Sequence, residues 1–187
     1  MHMNPPLAIF LRGINVNGSR IAMADLSACL QDAGYTDVHT ILATGNIVCV
    51  PPNGLPAESI KSDVERILTQ RFGYPATVHL RSQSELCALT NAVAQLTVGI
   101  EQHCYAVIAD TQATIDALAS AHAALPSEPK QQFFACGIDA LWVVPKGQTV
   151  TVPFGKVLLG SARYKANVTT RTIATIEKVR AALDKSQ

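Results

Sequence analysis

The alternation of apolar and polar positions along the chain predicts a run of short elements. Residues 7–11 form a continuous apolar stretch, Leu7-Ala8-Ile9-Phe10-Leu11, too short for a helix, and read as a central strand that Arg12 ends. Over 23–33, Leu26, Cys29, Leu30 and Ala33 recur at helical spacing, and Gly34 follows as a stop. Residues 38–43 and 47–50 are β-rich; Thr44-Gly45-Asn46 joins them as a hairpin with glycine in a positive-φ position, and Pro51-Pro52-Asn53-Gly54 ends it. A second helix over 57–72 carries Ile60, Val64, Ile67 and Leu68 on one face and stops at Gly73. In 76–81, Ala76, Val78 and Leu80 alternate with Thr77, His79 and Arg81, which predicts a strand with one exposed face. Strand, helix, strand, strand, helix, strand is the ferredoxin-like order, with its helices on one face of an antiparallel sheet.

Ser82-Gln83-Ser84-Glu85 is a capping box opening a helix that ends near Val93, and 94–102 reads as a connection. The expected units are therefore 1–93 and 94–187. A strand at 103–109, a helix at 112–124 carrying Ile115, Leu118 and Ala119, and strands at 131–136 and 141–145 around Gly137-Ile138-Asp139 repeat the first four elements. Residues 154–165 read as a helix interrupted by Gly155 and Gly160, and 172–184 as a closing helix with Ile173, Ile176, Val179 and Leu183 along one stripe. The fold class expected is α+β: two ferredoxin-like units, the second degenerate and ending in a basic helical segment.

Composition narrows the class. With 48% hydrophobic and 16% charged residues, extended disorder is excluded away from the ends. Residues 1–6 lack the basic and apolar regions of a signal peptide and no apolar run reaches membrane length, so a cytoplasmic protein without a membrane partner is expected. The five cysteines are odd in number, contain no CxxC and each sit in an apolar stretch, the pattern of reduced thiols used as small hydrophobes. The five histidines show no zinc-binding spacing and nothing matches G-x-S-x-G, so neither a metal, a cofactor nor a catalytic residue is nominated. Trp142, between Leu141 and Val143, reads as core.

The net charge of +1 hides an asymmetry: residues 1–145 hold seven Lys/Arg against twelve Asp/Glu, a balance of −5, and residues 146–187 hold eight against two, a balance of +6. Such a segment fits an anionic partner or docking on the chain's own acidic half.

Three stretches are candidates for ligand chemistry. Arg12-Gly13-Ile14-Asn15-Val16-Asn17-Gly18-Ser19-Arg20 lies between the first strand and a helix, with two glycines as in a phosphate-cradling loop. Ser19-Arg20 stands where Lys and Ser/Thr would be needed, and the ferredoxin-like order supplies no parallel sheet, so an NTPase loop is set aside. What remains is an arginine at a strand end and a loop able to turn N–H groups to an anion; the plainer alternative is a turn with Arg12 paired to a carboxylate. Thr44-Gly45-Asn46 is hairpin chemistry, and a wall of the same site if the hairpin bends to that edge. Thr169-Thr170-Arg171-Thr172 precedes the last helix, where threonines cap and Arg171 in the first turn opposes the helix dipole by some ~0.3–1 kcal/mol, a placement that a bound anion would justify. The candidate ligand-binding residues are Arg12, Gly13, Asn15, Gly18, Thr44, Gly45, Asn46, Thr170 and Arg171.

In Leu11-Arg12-Gly13-Ile14-Asn15-Val16-Asn17-Gly18 with Met23 and Leu26, in Thr44-Gly45-Asn46, in Phe72-Gly73, Val78 and Arg81, and in Thr169-Thr170-Arg171 with Thr175 and Lys178, the chain resembles the bacterial family known as domain of unknown function 1697. The resemblance spans nearly the whole chain and implies two interlocked ferredoxin-like units with no established activity. Two departures stand out: Thr44 where the family pattern favours Ser, and Arg171-Thr172-Ile173 where it has Arg-Asn-Trp, so an amide and an indole are lost. The functional expectation is a small anionic ligand, phosphorylated or nucleotide-like, beside the first strand. The alternatives are a nucleic-acid module using the basic carboxy-terminal segment, although Ile47-Val48-Cys49-Val50 offers no aromatic for stacking, and a regulatory or assembly module pairing through an open sheet edge.

Overall fold

A computed structural model describes residues 4–13, 15–16, 19–126 and 131–186. The chain divides into two compact units, Met1–Leu86 with Glu177–Gln187, and Cys87–Ile176. The division expected at 93/94 thus falls at 86/87, and residues 177–187, expected in the second unit, group with the first. Both shifts have one physical cause: a helix that follows a sheet's last strand changes unit along its length, so neither change of unit coincides with a turn-forming stretch.

In the first unit the order is β1 (Leu7–Arg12), a short ladder of β2 (Asn15–Val16) and β3 (Ser19–Arg20), α1 (Met23–Asp32), β4 (Thr36–Thr40), β5 (Asn46–Val50), α2 (Ala57–Phe72) and β6 (Thr77–Arg81), followed by α3 (Gln83–Ala92). The sheet order β4-β5-β1-β6, antiparallel throughout, is the ferredoxin-like arrangement. Ile9, Leu11, Ile47, Cys49 and Val78 face one core with Leu26 and Leu30 of α1 and Ile60, Val64 and Leu68 of α2, as the helical spacing requires. Gly73 ends α2 at φ 69, its N–H donating to the Thr69 carbonyl at 2.9 Å. The capping box at α3 forms in both directions: the Ser82 N–H donates to Glu85 Oε2 at 2.7 Å and the Glu85 N–H to Ser82 Oγ at 3.3 Å.

The opposite face of this sheet is covered too. Ala8, Phe10, Val48, His79 and Arg81 are all buried, so β6 is not the half-exposed strand that its alternation predicts. Alternation records which side chains are polar, and here two polar ones, His79 and Arg81, occupy the second buried face.

The second unit repeats the plan: β7 (Gln102–Ala109), α4 (Gln112–Ala123), β8 (Gln132–Cys136), β9 (Asp139–Pro145), a helical stretch of α5 (Pro153–Gly155) and α6 (Ala162–Lys165) joined by a π-helical turn at Lys156–Gly160, then β10 (Val168–Thr172) and α7 (Ile173–Leu183). Its antiparallel order β10-β7-β9-β8 is again ferredoxin-like, so the fold is α+β with two such units. Trp142 is buried in the core as expected, its ring 5.8 Å from that of Phe154. Among the described residues no helix is long and apolar enough to cross a membrane.

Candidate functional site

The carboxyl end of β1 carries the first candidate group. Phe10 pairs with Asn46, and the Leu11 N–H donates to the Gly45 carbonyl at 2.8 Å, so residues 44–46 stand beside the strand end that presents Arg12. The hairpin therefore bends to this edge, because β5 starts at Asn46 and runs back along β1. Asn46 is fully buried and closes the turn, its Nδ2 donating to the Ile41 carbonyl at 2.9 Å and to Thr44 Oγ1 at 2.8 Å. Gly45 takes the expected left-handed conformation at φ 73, which explains the glycine there.

Arg12 is half-buried and opposite Thr77 in the ladder with β6. Burial alone draws its guanidinium below the ordinary value; no carboxylate among the described residues acts on it. The plainer expectation, an arginine paired to an acid, finds no such acid among the described residues. Gly13 follows at φ 70 with open space where a Cβ would stand, and its carbonyl accepts from the Tyr74 hydroxyl at 3.5 Å.

The rest of the glycine-bounded stretch differs from an open cradle. Asn15 pairs with Arg20, and Val16 with Ser19, in a miniature antiparallel ladder. Gly18, the other glycine of the motif, lies outside the described residues. In the sequence, Asn17-Gly18 is a dipeptide that favours two-residue hairpin connections.

Thr170 and Arg171 belong to the second unit, and Arg171 corrects an expectation. It lies in β10 opposite Ala106, not in the first turn of the last helix, because pairing with β7 keeps the chain extended through Thr172. The helix-dipole argument for an anion at Arg171 therefore lapses. Thr172 takes the capping role, its Oγ1 accepting from the Thr175 N–H at 3.3 Å. Arg171 folds back along its own strand, its Nη1 donating to Thr169 Oγ1 and to the Thr170 carbonyl, each at 2.8 Å, and burial lowers its pKa to about 10.

Arg81 is the counterpart of Arg171 in the first sheet. It pairs with Ala8 as Arg171 pairs with Ala106, donates from Nη1 to the preceding carbonyl, Leu80, at 2.6 Å, and is followed by a hydroxyl cap, Ser82, as Arg171 is by Thr172. Asn46 and Asp139 match in the same way: each is buried, starts a third strand and lies opposite the first strand of its unit, at Phe10 and Ile108. Asp139 accepts from the Ala109 N–H at 3.3 Å. The duplication visible in the sequence as an order of elements thus extends to these matched positions, and the Arg-hydroxyl pairs at 81–82 and 171–172 were its sequence signal. Chemically, Arg81 and Arg171 hold strand ends; Arg12 has no matching arginine, its place in the second unit being taken by Asp110.

Residues 5–137 match the profile of a family described as a protein of unknown function, DUF1697. That span includes Arg12 and the hairpin and stops short of Arg171. No curated protein matches the chain. A solved structure, that of a conserved bacterial protein from Streptococcus pneumoniae, is similar over 98% of this chain and 99% of that one, with a TM-score of 0.77 and 18% identity. At that identity the likeness concerns the fold.

Proposed function

The chain belongs to the DUF1697 family, and from that premise we propose that it binds a small anionic ligand, phosphorylated or nucleotide-like, at the carboxyl end of β1. The observation that carries this reading is the condition of Arg12. A guanidinium partly withdrawn from water, with no compensating acid among the described residues, is a cost to the fold that a bound anion offsets. Its five donors suit phosphate or carboxylate oxygens, and the left-handed Gly13 beside it leaves room for a ligand to approach the backbone. The hairpin residues Thr44 and Gly45 supply the neighbouring wall.

Arg171 and Thr170 enter this reading only as a comparison, since Arg171 is already engaged with its own strand. Calorimetric titration of the full chain with nucleotides and with inorganic phosphate tests it. Arg12→Ala should weaken binding by at least about tenfold, the worth of one charge-assisted contact, with Arg12→Lys in between and Arg71→Ala, on the exposed side of α2, unchanged. Equal affinity in Arg12→Ala and the parent ends the proposal. Oligonucleotide binding that falls steeply with salt and ignores Arg12 would instead favour the nucleic-acid module.

A further inference from the structure

A second site is built in the first unit, away from the residues just discussed. The edge strand β4 carries a bulge: Thr36 pairs with Val50 but the next paired residue is His39, opposite Val48, so one extra residue is inserted. Asp37 sits in the bulge at φ 50, a left-handed conformation that a residue with a side chain adopts only at a cost. The bulge brings the Asp37 carboxylate within 2.7 Å of His39 Nε2, which donates to it.

This pair forms one wall of a groove of about 490 Å³, and the last turns of α7 with the turn after it form the other, with Lys178, Ala181, Ala182 and Lys185 in the lining. The charges are distributed unevenly. Asp37 is the only acid in the lining, and it is already engaged: hydrogen bonds from Ser186 and from His39 hold its carboxyl below the ordinary range. Among the described residues neither Lys178 nor Lys185 makes an ion pair. The two lysines are seven residues apart, Lys178 on the exposed side of α7 and Lys185 in the turn that follows it, and their long flexible stems let both ammonium groups reach one head group between them. Between the two lysines the lining carries the small side chains of Ala181 and Ala182, with Ile41 as a further apolar group and Thr40 and Ser186 completing the groove, so the floor between the lysines is apolar.

Two uncommitted cations over an apolar floor, opposite a fixed imidazole–carboxylate pair, define a ligand class. We propose that the groove between β4 and α7 binds a small organic anion with an apolar body, an aryl or alkyl phosphate or carboxylate, its head between Lys178 and Lys185 and its body on Ala181 and Ala182. The site shares no residue with the one at Arg12 and stands or falls separately.

Phenyl phosphate is a suitable probe, with inorganic phosphate as the head alone and phenol as the body alone, followed by amide chemical shifts of the full chain. Phenyl phosphate should give saturable shifts at Ile41, Ala181 and Ala182, and inorganic phosphate should bind about tenfold more weakly because it gains nothing from the floor. The double variant Lys178→Gln/Lys185→Gln, at exposed positions, should lose about tenfold in affinity, and Ala182→Leu should block the groove, while Arg12→Ala leaves phenyl phosphate binding there unchanged. Equal binding of phosphate and phenyl phosphate, shifts elsewhere only, or an unaltered lysine double variant would each overturn the proposal.

Discussion

Cys49 illustrates what burial does to a single group. It has no exposed surface in β5, and loss of solvent pushes its thiol up to about 12; Cys29, at the same core, rises to about 11. The apolar stretches around all five cysteines implied buried thiols; Cys29 and Cys49 are buried, whereas Cys87, Cys104 and Cys136 are only partly covered. The folded protein keeps the Cys49 proton up to about 12, whereas the unfolded chain releases it near the ordinary value of 9.0. Above that ordinary value the unfolded state therefore binds fewer protons and gains on the folded one. The contribution is complete below pH 9 and is lost as pH rises toward 12. Thermal melts taken upward from pH 8 should show Tm falling more steeply in the parent than in Cys49→Ala; parallel slopes would mean that the thiol does not ionise on unfolding. Arg171 gives the opposite lesson. Its identity and its threonine neighbours are plain in the sequence, but whether it begins a helix or ends a strand depends on pairing with β7, which lies sixty-odd residues earlier.

At the scale of the element, the two helix starts after β6 and β10 are comparable experiments. Ser82 and Thr172 each accept an N–H three residues on, at 3.3 Å in both cases. Ser82→Ala and Thr172→Ala should each cost about 1 kcal/mol in chemical denaturation, with Ser82→Ala the larger because its hydroxyl also donates to the Glu85 carboxylate, a charge-assisted bond that alanine cannot make. A substitution without measurable effect would show that packing alone starts that helix. Gly155 is a stricter case. A Cβ there would stand 1.8 Å from the Thr149 carbonyl oxygen, a backbone atom that cannot turn aside. Gly155→Ala should destabilise by at least about 2 kcal/mol, while Gly160→Ala, with open space around it, should be mild. The interruption expected at Gly155 and Gly160 falls instead at Ser161, whose extended backbone at φ −73 and ψ 129 separates the two helical pieces. The π-helical turn at Lys156–Gly160 takes up the irregularity between α5 and α6.

At the scale of the whole molecule, the carboxy-terminal segment decides what counts as a unit. Residues 177–187 group with the first unit, and Val179 and Leu183 within them have no exposed surface. A fragment ending at residue 93 would keep all four strands of the first sheet yet lack these side chains. Its amides in β4 and β5 should exchange with solvent much faster than in the full chain, by hydrogen exchange; equal protection would mean that the closing segment adds nothing to that unit. Element order, helix faces, the left-handed glycines and the capping box were all legible in the sequence, because each depends on residues within a few positions of one another. The candidate site was legible in part: Arg12, Gly13 and the 44–46 turn are conspicuous locally. Their meeting at one strand end, the strand placement of Arg171, the burial of His79 and Arg81, and the Asp37–His39 pair facing two distant lysines were decided by tertiary structure. Those features depend on which strands pair and on what covers the far side of each sheet, contacts between segments so remote along the chain that no local pattern encodes them.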